Sequence, residues 1–238
     1  FWVEKCISII LLFYTPKTLY IIVNAFSILL RKAKCIPAAK IVSRLALGIA
    51  LVCFVVILNG ITWYRYSYKI EQETVCIKTL PDSFNGFRIV QLTDLHLGSY
   101  GKHYPGITKL VDEVNRLNPD LIVFTGDMVN SFASEMDPWI ETLKKLKAKY
   151  GKYATTGNHD YGTYVKWPTK TDQENNLKQF FKNMEQADFV MLNNTNVPLV
   201  IANDTLYLAG VENWGLPPFP AFGKLTQALE GTDGHPVI

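Results

Sequence analysis

The sequence predicts a layered α/β domain preceded by apolar helices, and three observations carry that expectation. From Phe87 onward short β-branched runs alternate with amphipathic stretches; the first third of the chain is apolar and basic; and Asp, His and Asn cluster after three successive apolar runs.

The 238-residue chain has a formal charge of +3, which conceals a division. Residues 1–79 hold 10 Lys/Arg against 3 Asp/Glu, whereas residues 80–238 hold 14 against 18. A basic apolar segment joined to an acidic globular one explains the basic balance without a nucleic-acid-binding surface, so no nucleic-acid partner is indicated. The four cysteines form no disulfide framework, since Cys6 and Cys53 sit in apolar runs, Cys35 in a basic loop, and only Cys76 near the globular part. The absence of a C-x-x-C pair excludes a zinc ribbon or thioredoxin-type site.

Residues 1–70 are expected to form a transmembrane anchor of about two to three helices. Ile41 to Trp63 is apolar, with Leu45 to Leu58 uncharged, and exits into the aromatic cluster Trp63, Tyr64, Tyr66 and Tyr68. Upstream, Ile7 to Leu30 is interrupted by Thr15-Pro16-Lys17. A lysine at mid-bilayer costs roughly 2.5 to 3.5 kcal/mol on insertion scales. A break there is therefore preferred over one kinked span, leaving Phe1 to Tyr14 as the stub of a first helix and Pro16 to Leu30 as a short second one. The loop Arg31 to Arg44 holds Arg31, Lys32, Lys34, Lys40 and Arg44 with no acid, while Arg65, Lys69 and Lys78 are diluted by Glu71 and Glu73. The positive-inside rule then puts that loop in the cytoplasm and the globular part, residues 80–238, on the extracytoplasmic face.

In the globular part, strands are expected at Phe87 to Thr93, Leu121 to Thr125 and Lys152 to Thr156. Short strands follow at Phe189 to Leu192, Pro198 to Ile201 and Leu206 to Val211. Helices are expected over Gly106 to Asn118, near Asp137 to Lys149, and over Asn175 to Ala187. Strand and helix alternate, which favours parallel pairing.

The chemistry-bearing residues fall just after the first three strands: Asp94-x-His96, then Gly126-Asp127, then Gly157-Asn158-His159-Asp160. Functional groups of open α/β sheets gather outside the carboxyl ends of strands, so one edge would collect all of these side chains. A carboxylate and an imidazole two residues apart suit zinc, iron or manganese better than calcium. Gly126 allows a sharp turn that projects Asp127 between two ions, and Asn158 can ligate the second without adding charge. Two such ions clamp a phosphoryl group on both sides of an in-line displacement.

These three blocks, at separations of about thirty residues, resemble the first three blocks of the calcineurin-like metallophosphoesterase family. With the preceding spans the chain is similar to that family's membrane-associated bacterial phosphoesterases. The resemblance implies a layered α/β sandwich of metallophosphoesterase type and two divalent metal ions, manganese, iron or zinc. It also implies hydrolysis of a phosphomonoester or phosphodiester by a two-metal-activated hydroxide. By position, Asp94 and His96 bind the first metal, Asp127 bridges and Asn158 binds the second. His159 contacts the phosphate and helps protonate the leaving oxygen, and Asp160 orients it. The implied setting is a bacterial inner membrane and the implied substrate a phosphate ester, lipid-linked as one variant. The family's later blocks, a lone His after a further strand and a Gly-His-x-His segment, are absent from these 238 residues. With Phe1 inside an apolar run and Val237-Ile238 where a strand begins, the chain is expected to be a fragment at both ends. As such it would bind the second metal poorly. The alternative is a non-catalytic membrane binding or scaffold protein that keeps the fold with a decayed second metal site.

Plainer readings stand beside these. Taken singly, Asp94, His96, Asp127, Asn158 and His159 are equally turn residues and helix caps. His103 reads as a surface residue and His235 as a turn residue. Glu212, Asn213 and Trp214 read as an ordinary loop closed by Gly215 and Pro217-Pro218, and Lys144, Lys145, Lys147 and Lys149 as a solvated helix face.

Overall fold

The computed structural model describes residues 2–64, 67–102, 104–217, 219 and 221–238. Phe1, Arg65, Tyr66, His103 and Pro218, each given a reading above, lie outside the described residues. The chain divides into two compact units, Phe1–Gln72 and Glu73–Ile238.

The first unit is a pair of helices, α1 (Trp2–Lys32) and α2 (Ile36–Thr62), each long and apolar enough to cross a membrane. The expected break at Thr15-Pro16-Lys17 is corrected here, because α1 runs unbroken through Pro16. A proline forfeits only one helical N–H bond, and such losses are tolerated in apolar helices where neighbouring groups re-satisfy the backbone. Lys17, whose charge argued for the break, has its ammonium 5.7 Å from the ring centroid of Tyr14, one turn back. That cation–π contact eases the lysine's desolvation. The two helices are joined by polar side chains: Ser27 Oγ donates to the Ala39 carbonyl (2.9 Å), lies 3.0 Å from Ser43 Oγ, and Ser43 Oγ donates to Asn24 Oδ1 at 2.6 Å. Hydrogen bonds of this kind hold helices together where apolar contact gives little preference over lipid.

The second unit is built on a four-stranded parallel sheet in the order β1 (Ile89–Leu92), β2 (Leu121–Phe124), β3 (Lys152–Ala154), β4 (Val190–Met191). The crossovers contain α3 (Gly106–Arg116), α4 (Ile140–Leu143) and α5 (Lys170–Gln186). An antiparallel hairpin, β5 (Thr195–Ile201) and β6 (Asp204–Gly210), follows, then α6 (Leu225–Ala228). The expected final strand begins to pair with β6, since Tyr207 N–H donates to the Pro236 carbonyl and Ile238 N–H to that of Tyr207, both at 2.9 Å.

Strand side chains alternate between faces, and β2 shows how that makes layers. Ile122 and Phe124 join the core formed with Val111, Val114, Leu143, Phe180 and Met184 of the helices. Leu121 and Val123 join the opposite core, with Phe84, Leu199, Leu206 and Leu208. The sheet is therefore covered by helices on one face and by the β5–β6 hairpin on the other. Its register sets Leu92 beside Phe124 and Phe124 beside Ala154, so β1, β2 and β3 end level with one another.

Two helices differ from expectation. The stretch expected to be helical to Lys149 is helical only over Ile140–Leu143. Asn115 takes the chain away from the helix axis, its side-chain amide donating to the Lys145 carbonyl (2.9 Å) and accepting from Lys147 N–H (2.8 Å). Buried Lys152 lies below, its Nζ donating to the carbonyls of Leu143, Lys144 and Ala187 at 3.4, 3.3 and 2.7 Å, and burial lowers its pKa. Lys144, Lys145, Lys147 and Lys149 are exposed, as a solvated face would be. α5 begins five residues before the expected Asn175 because Thr169 and Asp172 form a reciprocal capping box, Thr169 Oγ1 accepting from Asp172 N–H and Asp172 Oδ2 from Thr169 N–H.

Candidate metal centre

Because three strands end level, the loops that follow them emerge side by side. The ladder continues one turn further, with Thr125 N–H donating to Leu92, Asp94 N–H to Gly126, His96 N–H to Asp127 and Leu97 N–H to Met128, all between 2.9 and 3.0 Å. Asp94, His96 and Asp127 carry φ of 55°, 45° and 60°. Left-handed backbone at a non-glycine residue costs about 1 to 3 kcal/mol and clusters at functional sites. The hydrogen bonds just named hold these three residues in it.

Gly126 (φ 99°) and Gly157 are where the second and third loops touch. A Cβ on Gly126 would stand 2.6 Å from Gly157 Cα, and one on Gly157 would stand 2.6 Å from Asp127 N. Neither distance admits a side chain.

The resulting side-chain geometry is tight. His96 Nε2 lies 3.8 Å from Asp94 Oδ1 and 3.8 Å from Asp127 Oδ2. The side chain of Asp94 is 61% exposed, that of His96 30% and that of Asp127 13%, so the cluster runs from solvent to interior. Ligand bonds of about 2.0 to 2.2 Å allow two donors on one ion to stand up to about 4.4 Å apart. Each carboxylate is thus close enough to share an ion with His96 Nε2, and carboxylate with imidazole suits a borderline divalent cation. Among the described residues, the group whose ligand atoms all lie within 4.8 Å of one another is His96, Asp127 and His159.

His159 stands edge-on to His96, ring centroids 4.7 Å apart, and its N–H donates to Asp127 Oδ1 at 2.9 Å. Its Nδ1 is 2.8 Å from the Asn130 carbonyl. A carbonyl can only accept, so Nδ1 carries the proton of the neutral ring and Nε2 is left free for a ligand or a proton. The expected pairing of Asp160 with His159 is therefore corrected: Asn130, not Asp160, orients the imidazole. Asp160 is fully buried, and its Oδ2 accepts from the N–H groups of Asp127 and Gly157 (2.9 Å each), its Oδ1 from Val129 N–H at 3.2 Å. It ties the Asp127 loop to the Asn158 loop. Burial pushes its carboxyl up to about 7, against the pull of those three donors.

Asn158 Nδ2 donates to the Tyr164 hydroxyl at 2.7 Å, and the Tyr164 ring stacks on His159 with centroids 4.5 Å apart. Tyr164 is not among the residues the sequence singles out, and its one signal there is an aromatic six residues beyond Asn158. Glu212 is more than a loop residue. Tyr161 Oη donates to Glu212 Oε1 (2.9 Å) and lies 2.6 Å from Thr156 Oγ1, and Asn194 Nδ2 donates to Glu212 Oε2. Burial holds the Tyr161 phenol well above its ordinary range, so it remains a donor. Trp214 is exposed and forms a backbone bridge with Ala221. His235 is a turn residue, its N–H donating to the Thr232 carbonyl at 3.1 Å.

Residues 87–219 match the model of the calcineurin-like phosphoesterase family. The chain belongs to that family. Among curated proteins it is 40% identical over 96 residues to a zebrafish (Danio rerio) transmembrane protein with metallophosphoesterase domain, covering 40% of this chain and 22% of the relative. It is 32% identical over 177 residues to the cattle (Bos taurus) protein of the same name, covering 69% and 36%. Over 90 residues it is 40% identical to the UDP-2,3-diacylglucosamine pyrophosphatase LpxG of Chlamydia muridarum, covering 36% and 27%. The chain thus spans between 22% and 36% of the length of these relatives. No solved structure matches it.

Proposed function

We propose that this chain is a membrane-anchored, metal-dependent phosphoesterase acting on a phosphomonoester or phosphodiester. The observation that carries the proposal is the placement of His96 Nε2 3.8 Å from a carboxylate oxygen of both Asp94 and Asp127. In this reading Asp94, His96 and Asp127 would hold one divalent cation, and Asn158 Oδ1, with Asp127, would serve a second. Manganese, iron and zinc fit that donor set. When bound, such a pair makes water a nucleophile at neutral pH and neutralises the phosphoryl oxygens. His159 presents Nε2 to the substrate; protonated there as well as at Nδ1, the imidazolium would contact the phosphate and give its Nε2 proton to the leaving oxygen, returning to the neutral ring. Asp160 acts through the backbone, fixing the two loops that carry Asp127 and Asn158.

The helix pair favours a substrate that is itself in the bilayer, a lipid or lipid-linked phosphate. The diacylated sugar nucleotide in the name of the Chlamydia relative points the same way. The expected loop Arg31 to Arg44 is a short turn, with Arg31 and Lys32 ending α1 and Lys40 and Arg44 in the first part of α2, and this acid-free basic end of the helix pair favours a cytoplasmic turn and an extracytoplasmic globular unit. The test is hydrolysis of bis(p-nitrophenyl) phosphate and p-nitrophenyl phosphate by the full chain in detergent micelles with added Mn2+. Release of p-nitrophenol that EDTA abolishes and Mn2+ restores is expected. No release, or release indifferent to EDTA, would contradict the proposal.

A further inference from the structure

Tyr164 makes two contacts that the metal-centre reading above leaves unused. Its hydroxyl oxygen accepts from Asn158 Nδ2 at 2.7 Å, and its ring lies 4.5 Å from that of His159, inclined by 30°. The residue is 47% exposed, so it contributes little to the core.

The first contact decides which end of the Asn158 amide can meet a cation. A carboxamide has one ligating atom, Oδ1, and a nitrogen whose hydrogens repel a cation; the two diverge from the planar Cγ at a trigonal angle. Unrestrained, the group can present either end. With Nδ2 held by Tyr164, Oδ1 is turned away from Tyr164 and kept free of the amide's hydrogens. The second contact acts on His159, whose Nδ1 is already held by the Asn130 carbonyl. One hydrogen bond in the ring plane still permits rocking about it, and an aromatic face stacked on the ring opposes that motion. Tyr164 therefore restrains both neighbours at once.

From this we infer that Tyr164 is a positioning residue: its hydroxyl fixes the Asn158 amide for the second cation, and its ring fixes the His159 imidazole facing the substrate. The inference rests on the two-cation reading. It differs from that reading in making a prediction about a residue that ligates nothing.

The two contacts are separable by substitution. Tyr164→Phe keeps the ring and removes the hydroxyl, whereas Tyr164→Leu removes both. The full chain in detergent micelles is titrated with Mn2+ alone, free ion being followed by electron paramagnetic resonance, and kcat and KM for bis(p-nitrophenyl) phosphate are measured across Mn2+ concentrations. Loss of a group that orients a metal ligand typically lowers affinity about 10- to 100-fold. Tyr164→Phe is expected to weaken the weaker Mn2+ site by roughly 10-fold. The tighter site should be unchanged, and kcat should return to the wild-type value at saturating Mn2+. Tyr164→Leu is expected to show the same weakening with a kcat that saturating Mn2+ does not restore. A general loosening of the fold would move both sites together and would not be rescued by metal.

Wild-type affinities at both sites in Tyr164→Phe, or a Phe variant whose kcat deficit persists at saturating Mn2+, would overturn the inference and leave the two-cation reading standing. A wild-type chain that takes up fewer than two Mn2+ ions would overturn both.

Discussion

His96 and Asp127 are joined twice: the His96 N–H donates to the Asp127 carbonyl at 3.0 Å, and His96 Nε2 stands 3.8 Å from Asp127 Oδ2. The main-chain bond sets the distance between the loops after β1 and β2, and the side chains then face each other across a gap of the size a cation fills. Asp94, at the same 3.8 Å from His96, is far more exposed than Asp127. A charge in water is already well solvated and contributes less when transferred to a ligand sphere. Asp94→Ala should therefore weaken Mn2+ binding, and His96→Ala should weaken it further, with the circular dichroism of both variants unchanged. Isothermal titration calorimetry of the two variants checks the order.

The contact between Gly126 and Gly157 leaves no room for a methyl group. Gly157→Ala places a Cβ 2.6 Å from Asp127 N and against its carboxylate, so the two loops must separate. We expect a loss of stability of about 1 to 3 kcal/mol, in the range for overpacking. Mn2+ affinity should fall with it. Calorimetric unfolding and metal titration of this variant read the two effects.

For His159 the expectation separates binding from turnover. His159→Ala leaves His96 Nε2 and the Asp94 and Asp127 carboxylates in place, so Mn2+ uptake should persist. If His159 gives the leaving oxygen its proton, kcat should drop roughly 100- to 10,000-fold. The drop should shrink for p-nitrophenolate, which leaves without a proton, compared with an alkyl leaving group. Steady-state rates on the two ester types test this.

Asp160 predicts a pH dependence of the metal-free fold. Its carboxyl titrates near 7 when folded and near 3.8 when unfolded. Between those values the folded state retains a proton that the unfolded state has released, so stability falls as pH rises. The contribution is complete below about pH 4 and is lost as pH climbs through 7. With EDTA present, the melting temperature of the wild type should decline over that window more steeply than that of Asp160→Asn, whose side chain does not titrate. Asn offers one acceptor oxygen for three N–H donors, so the variant should also be less stable at acid pH, by about 1 to 3 kcal/mol for each donor left unpaired. Differential scanning calorimetry across pH 4 to 8 measures both.

Much of the fold was legible because β2, inside the sheet, is covered on both faces. Runs such as Leu121 to Phe124 are apolar at every position and are bounded by turn residues, so their existence, order and parallel pairing could be read directly. The residues after those strands could be read with them, since level strand ends bring together whatever follows. The start of α5 is also marked in the sequence, by Thr169-x-x-Asp172, ahead of the apolar periodicity that begins near Asn175. The early end of α4 was not, because it depends on Asn115, some thirty residues away in the chain. The same holds for Asp160: adjacency to His159 suggested a side-chain pair, whereas its partners are backbone groups 3 to 33 residues distant. The passage of α1 through Pro16 reflects a contact, Lys17 on Tyr14, that composition alone undervalues.

The central claim is that Asp127 is shared by two divalent cations, and Mn2+ stoichiometry in Asp127→Asn tests it most directly. Asn conserves shape and one oxygen while removing the charge that two cations would share. The account predicts that the wild-type chain takes up one Mn2+ ion more tightly and a second weakly, and that the variant loses measurable uptake of both. Two ions bound by the variant with wild-type affinity would contradict it.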